Sequence, residues 1–399
     1  VTDGETDGRD DETTALVVPQ QAPADGHPTV LLLGSDEISR ELAIALGRLG
    51  ARVMAADQRP HAPAHGVADQ ALVIDTTDAD ELAKAIQRLQ PDLVVTATDA
   101  VATRALEALD GTELVPSARA VRLAADREGL RRMAADELGL PTAPFWFAGS
   151  LGELEAVGAH AGYPLLVKPA AGPTGQRQSV VARREDLESA WHRAVGERPG
   201  ARVLAETVVE VEFCVTLLAV RSEGPSGPAI EFCSPIGHRG SNGQVLESWQ
   251  PQKMSAAAMD AARSIAARIV KALGGRGVFG VELMINGDEV YFADITSRPS
   301  DSAWVTLRSQ RLSAFELQAR TILGLPVDTM MVSPAAARVT GAADSHDPAA
   351  LIGALSVPES DLRVSARGFR ALATAPDVTA ARERAGQAAE RLAAPHSRG

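Results

Sequence analysis

Cysteine is nearly absent from this 399-residue chain, which holds only Cys214 and Cys233. Two thiols supply neither a disulfide framework nor a four-cysteine metal site. Each follows a phenylalanine in a strand-like run, so both read as buried apolar fillers in a reducing cytoplasm. No run of 18 or more apolar residues occurs, which excludes a membrane-spanning helix, and no basic apolar leader opens the sequence. Basic residues are outnumbered: 39 Lys and Arg against 52 Asp and Glu leave a net charge of −13. That balance argues against non-specific nucleic-acid binding. The segment Gly34–Ser39 (GSDEIS), after the first apolar run, lacks the G-x-G-x-x-G fingerprint. A dinucleotide oxidoreductase is therefore disfavoured.

What is present describes an α/β protein. With 45% hydrophobic and 23% charged residues, the chain has enough apolar surface for globular folding, and its length predicts two or three domains. Residues 1–14 carry six acids and few apolar side chains. They are expected to form a disordered tail, continued by a linker to residue 27. From Thr29 the pattern alternates: strands at Thr29–Leu33, Arg52–Ala56, Ala71–Ile74 and Leu93–Thr96, with helices at Glu37–Leu49 and up to Leu89. Such alternation predicts a parallel sheet with crossovers, whose ligands sit beyond the strands' carboxyl ends. Gly34 to Glu37 and Asp57 lie there, and Ser35 or Asp36 is placed to cap the following helix.

Asp126–Gly139 reads as one amphipathic helix, ended by Gly139 and Pro141. Beyond it come strands at Pro164–Pro169, Arg202–Ala205, Glu212–Val220 and Ile230–Ser234, with helices near Arg184–Val195 and Ser255–Leu273. This predicts an α+β second domain over 126–333, after a first domain over 28–125 and before a small third one over 334–399.

Val278–Ile285 and Val290–Ile295 flank Asn286-Gly287, a strong hairpin signal. On the first strand Phe279, Val281, Leu283 and Ile285 face one way, and Gly280, Glu282 and Met284 the other. A two-residue turn at Asn286-Gly287 puts Glu282 and Asp294 on opposite faces; an odd-length loop puts them on one face. In the second case the pair lies diagonally, about 7–8 Å apart at Cα. That spacing suits two carboxylates sharing Mg²⁺, which takes one or two carboxylates plus substrate phosphates. Lys168 ends a buried apolar strand and needs an anionic partner, either a nucleotide phosphate or a structural carboxylate. The loop Ala170–Gln178 holds Gly172 and Gly175 and is placed to close over phosphates. Glu206–Glu210 (ETVVE) is a candidate hinge beside an adenine.

These blocks, in this order, resemble the formate-dependent phosphoribosylglycinamide formyltransferases of purine synthesis, ATP-grasp enzymes. The resemblance runs from about Pro28 to Gly324 and is carried most specifically by ESWQPQKMS and by GVFGVELMINGDEVYFADITSRPSDSAWVTL. It implies a Rossmann-like preATP-grasp domain, an ATP-grasp domain and a small C-terminal domain, in a cytoplasmic homodimer. The implied reaction uses ATP and Mg²⁺ to pass a formyl group from formate to glycinamide ribonucleotide through formyl phosphate. By position, Glu282 and Asp294 would hold Mg²⁺. Lys168 and Arg298 would act on the phosphates. Arg127, Lys168, Gly175, Gln176, Arg177, Glu206, Val208, Val209 and Cys214 would contact ATP. Glu37, Ile38, Asp99, Asp301, Arg367 and Arg370 would contact the ribonucleotide. The sequence departs from the family pattern at several of these places. Asp294 replaces Glu, Gln176 replaces a phosphate-loop Lys, Cys214 replaces a ribose-binding Glu, and Ala97 replaces a substrate-contacting Glu. The loop near Arg367–Arg370 is shortened. At this level two other readings stay open: an ATP-grasp ligase for a different carboxylate, and a non-catalytic nucleotide-binding subunit.

Overall fold

The structure is a computed structural model that describes residues 26–109, 111–171, 177–196, 200–224, 227–241, 244–341, 347–365 and 368–393. The acidic tail expected at 1–14, and most of the linker after it, lie outside the described residues.

Five strands form the first sheet: β1 (Thr29–Leu33), β2 (Arg52–Asp57), β3 (Gln70–Val73), β4 (Leu93–Thr96) and β5 (Glu113–Val115). All pairings are parallel, in the order β3-β2-β1-β4-β5. The strands are continuous apolar runs because helices cover both faces: Val30 and Leu32 pack in one core, Leu31 and Leu33 in another. The strand order reverses between β1 and β4, which opens a crevice at their carboxyl ends. Gly34 enters it with φ +97°, and a Cβ there would stand 2.9 Å from Cβ of Thr98. Only glycine allows both the turn and that approach. Asp36 then caps the helix Glu37–Arg48, accepting from the backbone N–H of Ser39 at 2.9 Å, while Ser35 is buried and its N–H donates to Asp57.

The second sheet is antiparallel, β6 (Phe145–Ala148), β7 (Leu165–Pro169), β8 (Ser179–Val181) and β9 (Val203–Thr207), in the order β6-β9-β7-β8. The helices Leu151–Ala161 and Leu187–Val195 bury Leu154, Leu187 and Ala190 against Leu165, Val167 and Val203.

The third sheet holds nine strands: β10 (Phe213–Gly224), β11 (Gly227–Phe232), β12 (Ile236–Ser241), β13 (Gln244–Gln250), β14 (Gly277–Asn286), β15 (Glu289–Thr296), β16 (Ala335–Thr340), β17 (Ser360–Ser365) and β18 (Gly368–Thr374). Its order is β15-β14-β10-β12-β13-β16-β18-β17, with β11 on β10. The C-terminal strands thus extend the same sheet as the Glu282 hairpin. Phe279, Val281, Leu283 and Ile285 bury one face of β14 against the helix Ala256–Leu273, each fully buried side chain contributing about 1.5–3 kcal/mol. Gly280, Glu282 and Met284 are left on the other face.

Two expectations change. Asp126–Gly139 is not one α-helix but an α-helix at Arg127–Arg132 followed by a π-turn at Met133–Glu137, closed by Leu138 N–H to Met133 O at 2.9 Å. Over a single turn, apolar spacing does not separate i→i+4 from i→i+5 bonding. Cys233 is a buried filler whose thiol is pushed up to about 12 by burial. Cys214 is only partly buried, because it lies on the polar face of β10.

Candidate active site

One face of the third sheet gathers the carboxylates. Glu282 pairs directly with Asp294 across β14 and β15. The turn is two residues long, Gly287 and Asp288, with Asn286 opposite Glu289. An odd-length loop is therefore not what aligns the pair. In a regular ladder from that turn Ala293 would oppose Glu282, and Asp294 would fall on the far face. A register shift after Leu283 and Phe292 inserts one extra residue, a β-bulge that turns Asp294 back to the side of Glu282. The bulge's backbone is satisfied from outside the ladder: Arg131 donates to the carbonyls of Phe292 at 2.9 Å and Ala293 at 2.8 Å. Phe292 N–H reaches Pro141 O at 2.8 Å.

Glu282 is held by its neighbours on the same face. Thr216, opposite it on β10, donates to Oε1 at 2.7 Å, and His238 Nε2 lies 2.9 Å from Oε2. Thr216 Oγ1 also lies 2.7 Å from Ser302 Oγ, which is 3.0 Å from Ser300 Oγ. A hydroxyl has one proton, and a carboxylate only accepts. The chain therefore runs Ser300 to Ser302 to Thr216 to Glu282, each hydroxyl donating to the next and polarising it. Burial works against the charged form of His238, but the hydrogen bond and charge of Glu282 prevail, so its pKa is raised. Cys214, opposite His238 and two residues before Thr216, shares this face, its thiol pushed up by burial and by Glu282.

Asp294 stands among cations. Arg127 Nε is 3.9 Å from Oδ2, and the N–H of Ile295 donates to Oδ1 at 2.8 Å. Arg127, Arg131, Lys168 and Asp294 line one small cavity of about 10 Å³. Burial pushes the Asp294 carboxyl up, and the fields of Lys168 and Arg127 reduce that shift without cancelling it. The anionic partner of Lys168 is Glu206: Nζ to Oε2 is 2.6 Å, and the other oxygen pairs with Arg131. Glu206, expected beside the adenine, is buried and tied between two cations. The hinge after it continues with Val208, exposed, its N–H on Pro164 O at 3.2 Å, and Val209, half-buried. Arg177 is exposed with φ +57°, its guanidinium set against Gly196. Gly175 and Gln176 lie outside the described residues.

A magnesium ion fits this donor set. Two carboxylates face one side, one anchored by hydrogen bonds and one desolvated beside cations, and Mg²⁺ completes its shell with water and phosphate oxygens. Among the described residues no group of three or more His, Cys, Asp or Glu forms a metal cage, so the pair would hold an ion jointly with a phosphate-bearing ligand.

The second half of the site is a cleft of about 420 Å³ at the carboxyl ends of β1 and β2. Glu37, Ile38, Asp301 and Arg370, all read from the sequence as substrate contacts, line it together, with Arg59 added. Arg370 stacks 4.4 Å over the Trp304 ring and reaches Asp301 Oδ1 at 3.3 Å. Arg367 lies outside the described residues. Asp99 is not in this cleft: both its oxygens are taken by Arg298, NH2 to Oδ2 at 3.0 Å. The pair joins the end of β4 to the end of β15, and the fields of Asp36 and Asp301 also reach Arg298. Arg298 thus links the carboxylate face to the cleft.

Sequence reasoning missed Thr216, His238 and Arg131. A lone hydroxyl within the apolar run FCVTLLAV marked Thr216, and His238 sits inside the block PIGHR. Arg131 follows Arg127 by four residues, one helical turn, and so shares its face.

An ATP-grasp domain profile matches residues 133–315. Over 378 residues, 90% of this chain and 93% of the relative, the sequence is 47% identical to the formate-dependent phosphoribosylglycinamide formyltransferase of Corynebacterium glutamicum (strain R). Over 384 residues, 92% and 95% of the two chains, it is 44% identical to the protein of that name from Rhodococcus jostii (strain RHA1). A solved structure of glycinamide-RNase-transformylase T from Mycobacterium tuberculosis is 62% identical with a TM-score of 0.81, covering 91% of this chain and 99% of that one. Carboxyaminoimidazole ribonucleotide synthase from Aspergillus clavatus, 22% identical with a TM-score of 0.82 over 92% and 98% of the chains, shares the fold. With that extent of identity, this chain belongs to the formate-dependent phosphoribosylglycinamide formyltransferase family and has its ATP-grasp fold.

Proposed function

We propose that this protein uses ATP to transfer a formyl group from formate to the amine of phosphoribosylglycinamide. The observation that carries the reading is the joining of a carboxylate face beside Lys168 to a separate polar cleft, in a chain 47% identical to relatives of that name over 90% of its length. ATP would lie between the second and third sheets, with Lys168 and Arg127 toward its phosphates and Val208 and Val209 toward its base. Glu282 and Asp294 would hold Mg²⁺, which when bound neutralises phosphate charge. Phosphoryl transfer needs little covalent help from protein, so positioning and charge carry the catalysis. A formate oxygen attacks the γ-phosphorus and ADP leaves. The amine then attacks the formyl carbon, phosphate departs, and the amine loses its proton.

Arg298, held by Asp99 at the junction, is placed to steady charge passing between the two half-sites. Glu37, Ile38, Asp301 and Arg370 would receive the ribonucleotide, with Arg370 braced by Trp304. Asp99 acts in this reading through Arg298 rather than on substrate. Cys214 faces the same space as Glu282 and borders the nucleotide without supplying a charge. Domain limits of 28–125, 126–333 and 334–399, a homodimer and a cytoplasmic setting belong to the same reading; light scattering tests the dimer.

The test is purified protein with Mg²⁺, ATP, formate and phosphoribosylglycinamide, followed by mass spectrometry. Formylated product with one ADP per formyl group is expected. ADP release with another carboxylic acid but not with formate would favour a different ligase activity, and ATP binding without turnover would favour a non-catalytic role.

A further inference from the structure

Behind the substrate cleft, across one layer of sheet, lies a second cleft of about 390 Å³. Its floor is a row of three directly opposed residues on adjacent strands: Arg239 on β12, Glu247 on β13 and Arg338 on β16. Directly opposed residues share a face. Leu246 and Val339, each next to a floor residue, line the substrate cleft on the other side, as the alternation of a strand requires. The C-terminal helix Val378–Ala393 closes the second cleft with Arg382, stacked 3.9 Å over Trp249.

The charges in the floor do not balance. Glu247 is buried and both its oxygens are taken, by Arg382 at 2.9 and 3.1 Å and by Arg239 at 2.5 Å. Arg338 is left over. It is half-buried, and its guanidinium makes no direct hydrogen bond or ion pair among the described residues, acting on Glu247 only through its field. Its guanidinium lies beside Gly386, where even a Cβ would stand 3.3 Å from NH1. Three guanidinium groups therefore surround one saturated carboxylate. Glu383 and Glu390, also lining the cleft, are exposed to solvent, which screens them more than the floor. A guanidinium presents a planar fork of donors that matches phosphate oxygens.

We propose that this cleft binds a small phosphate-bearing ligand, with Arg338 as its principal contact and Arg239 and Arg382 beside it. The site is separate from the nucleotide and ribonucleotide sites, and its size admits a ligand no larger than a mononucleotide. Titration calorimetry with inorganic pyrophosphate in metal-free buffer tests it on the full chain, comparing wild type, Arg338→Ala and Arg370→Ala. One binding phase should weaken about tenfold or more in Arg338→Ala and persist in Arg370→Ala. Formyl transfer at saturating substrates should stay unchanged in Arg338→Ala, and the melting temperature should fall only slightly, because the guanidinium makes no direct bond and acts on Glu247 through its field alone. Equal pyrophosphate affinity in wild type and Arg338→Ala would overturn the proposal. So would a phase lost only in Arg370→Ala, or no binding to the wild type.

Discussion

Replacing Asp294 with Asn separates what this carboxylate does for ligand binding from what it does for the fold. The side chain keeps its size and its acceptor for the Ile295 N–H. It loses its charge, facing Arg127 at 3.9 Å and the field of Lys168. A charged ligand contact is worth roughly 1.5–3 kcal/mol, so Mg²⁺-dependent nucleotide affinity should fall about 10- to 150-fold. Stability should move the other way. Burial holds the Asp294 carboxyl above its ordinary range despite the neighbouring cations. The folded state thus keeps this proton to higher pH than the unfolded chain. Stability is lost as pH rises from the unfolded value through the folded one, and wherever the carboxylate is ionised its desolvation is a cost that asparagine does not carry. Without ligand the variant should melt no lower than wild type. With Mg²⁺ and a non-hydrolysable ATP analogue, wild type should gain melting temperature and the variant should gain little. Equal ligand-induced shifts in the two proteins would refute the metal role of Asp294, and a lower melting point of the ligand-free variant would refute the desolvation cost assigned to its carboxylate.

Glu206→Gln leaves Lys168 and Arg131 without their shared buried counter-charge and should lose about 3–5 kcal/mol of stability in urea unfolding; a loss within error of zero would contradict the pairing. Arg370→Ala removes the side chain braced by Trp304 in the cleft. It should raise KM for phosphoribosylglycinamide about tenfold or more while leaving KM for ATP unchanged, as steady-state kinetics would show. Burial opposes the ionised form of Glu247, but Arg382, with Arg239 and Arg338, outweighs it and holds the carboxyl below its usual range. Its contribution is therefore present above the unfolded carboxylate pKa and lost as pH falls through the lower folded value. Glu247→Gln should be less stable than wild type at pH 7, with the difference shrinking on acidification; a gap independent of pH would contradict it.

Much of the scaffold was legible because local signals agreed with the fold. The runs at Thr29–Leu33 and Leu93–Thr96 are buried on both faces and match the strands residue for residue. The alternation on Val278–Ile285 correctly divided the core face of β14 from the face carrying Glu282. The strands β12 and β13 escaped notice because they are polar, with Arg239, Glu247 and Gln250 within them. In the site, the pairing of Glu282 with Asp294 depends on a bulge at Ala293 that no turn signal encodes. It is fixed by Arg131, from 161 residues away in sequence, holding the Phe292 carbonyl. The buried charge of Glu206 is likewise a tertiary fact: the continuous run Val203–Ala205 gives it no face, and only packing shows Lys168 and Arg131 on either side.

In the proposed reaction, formate is activated by phosphoryl transfer before the amine captures it. The direct measurement uses formate carrying ¹⁸O in both oxygens, with Mg²⁺, ATP and phosphoribosylglycinamide, and mass spectrometry of the products. If a formate oxygen attacks the γ-phosphorus, one labelled oxygen leaves with inorganic phosphate, the other stays in the formyl product, and ADP carries none. Unlabelled phosphate accompanying formylated product would contradict that order of steps.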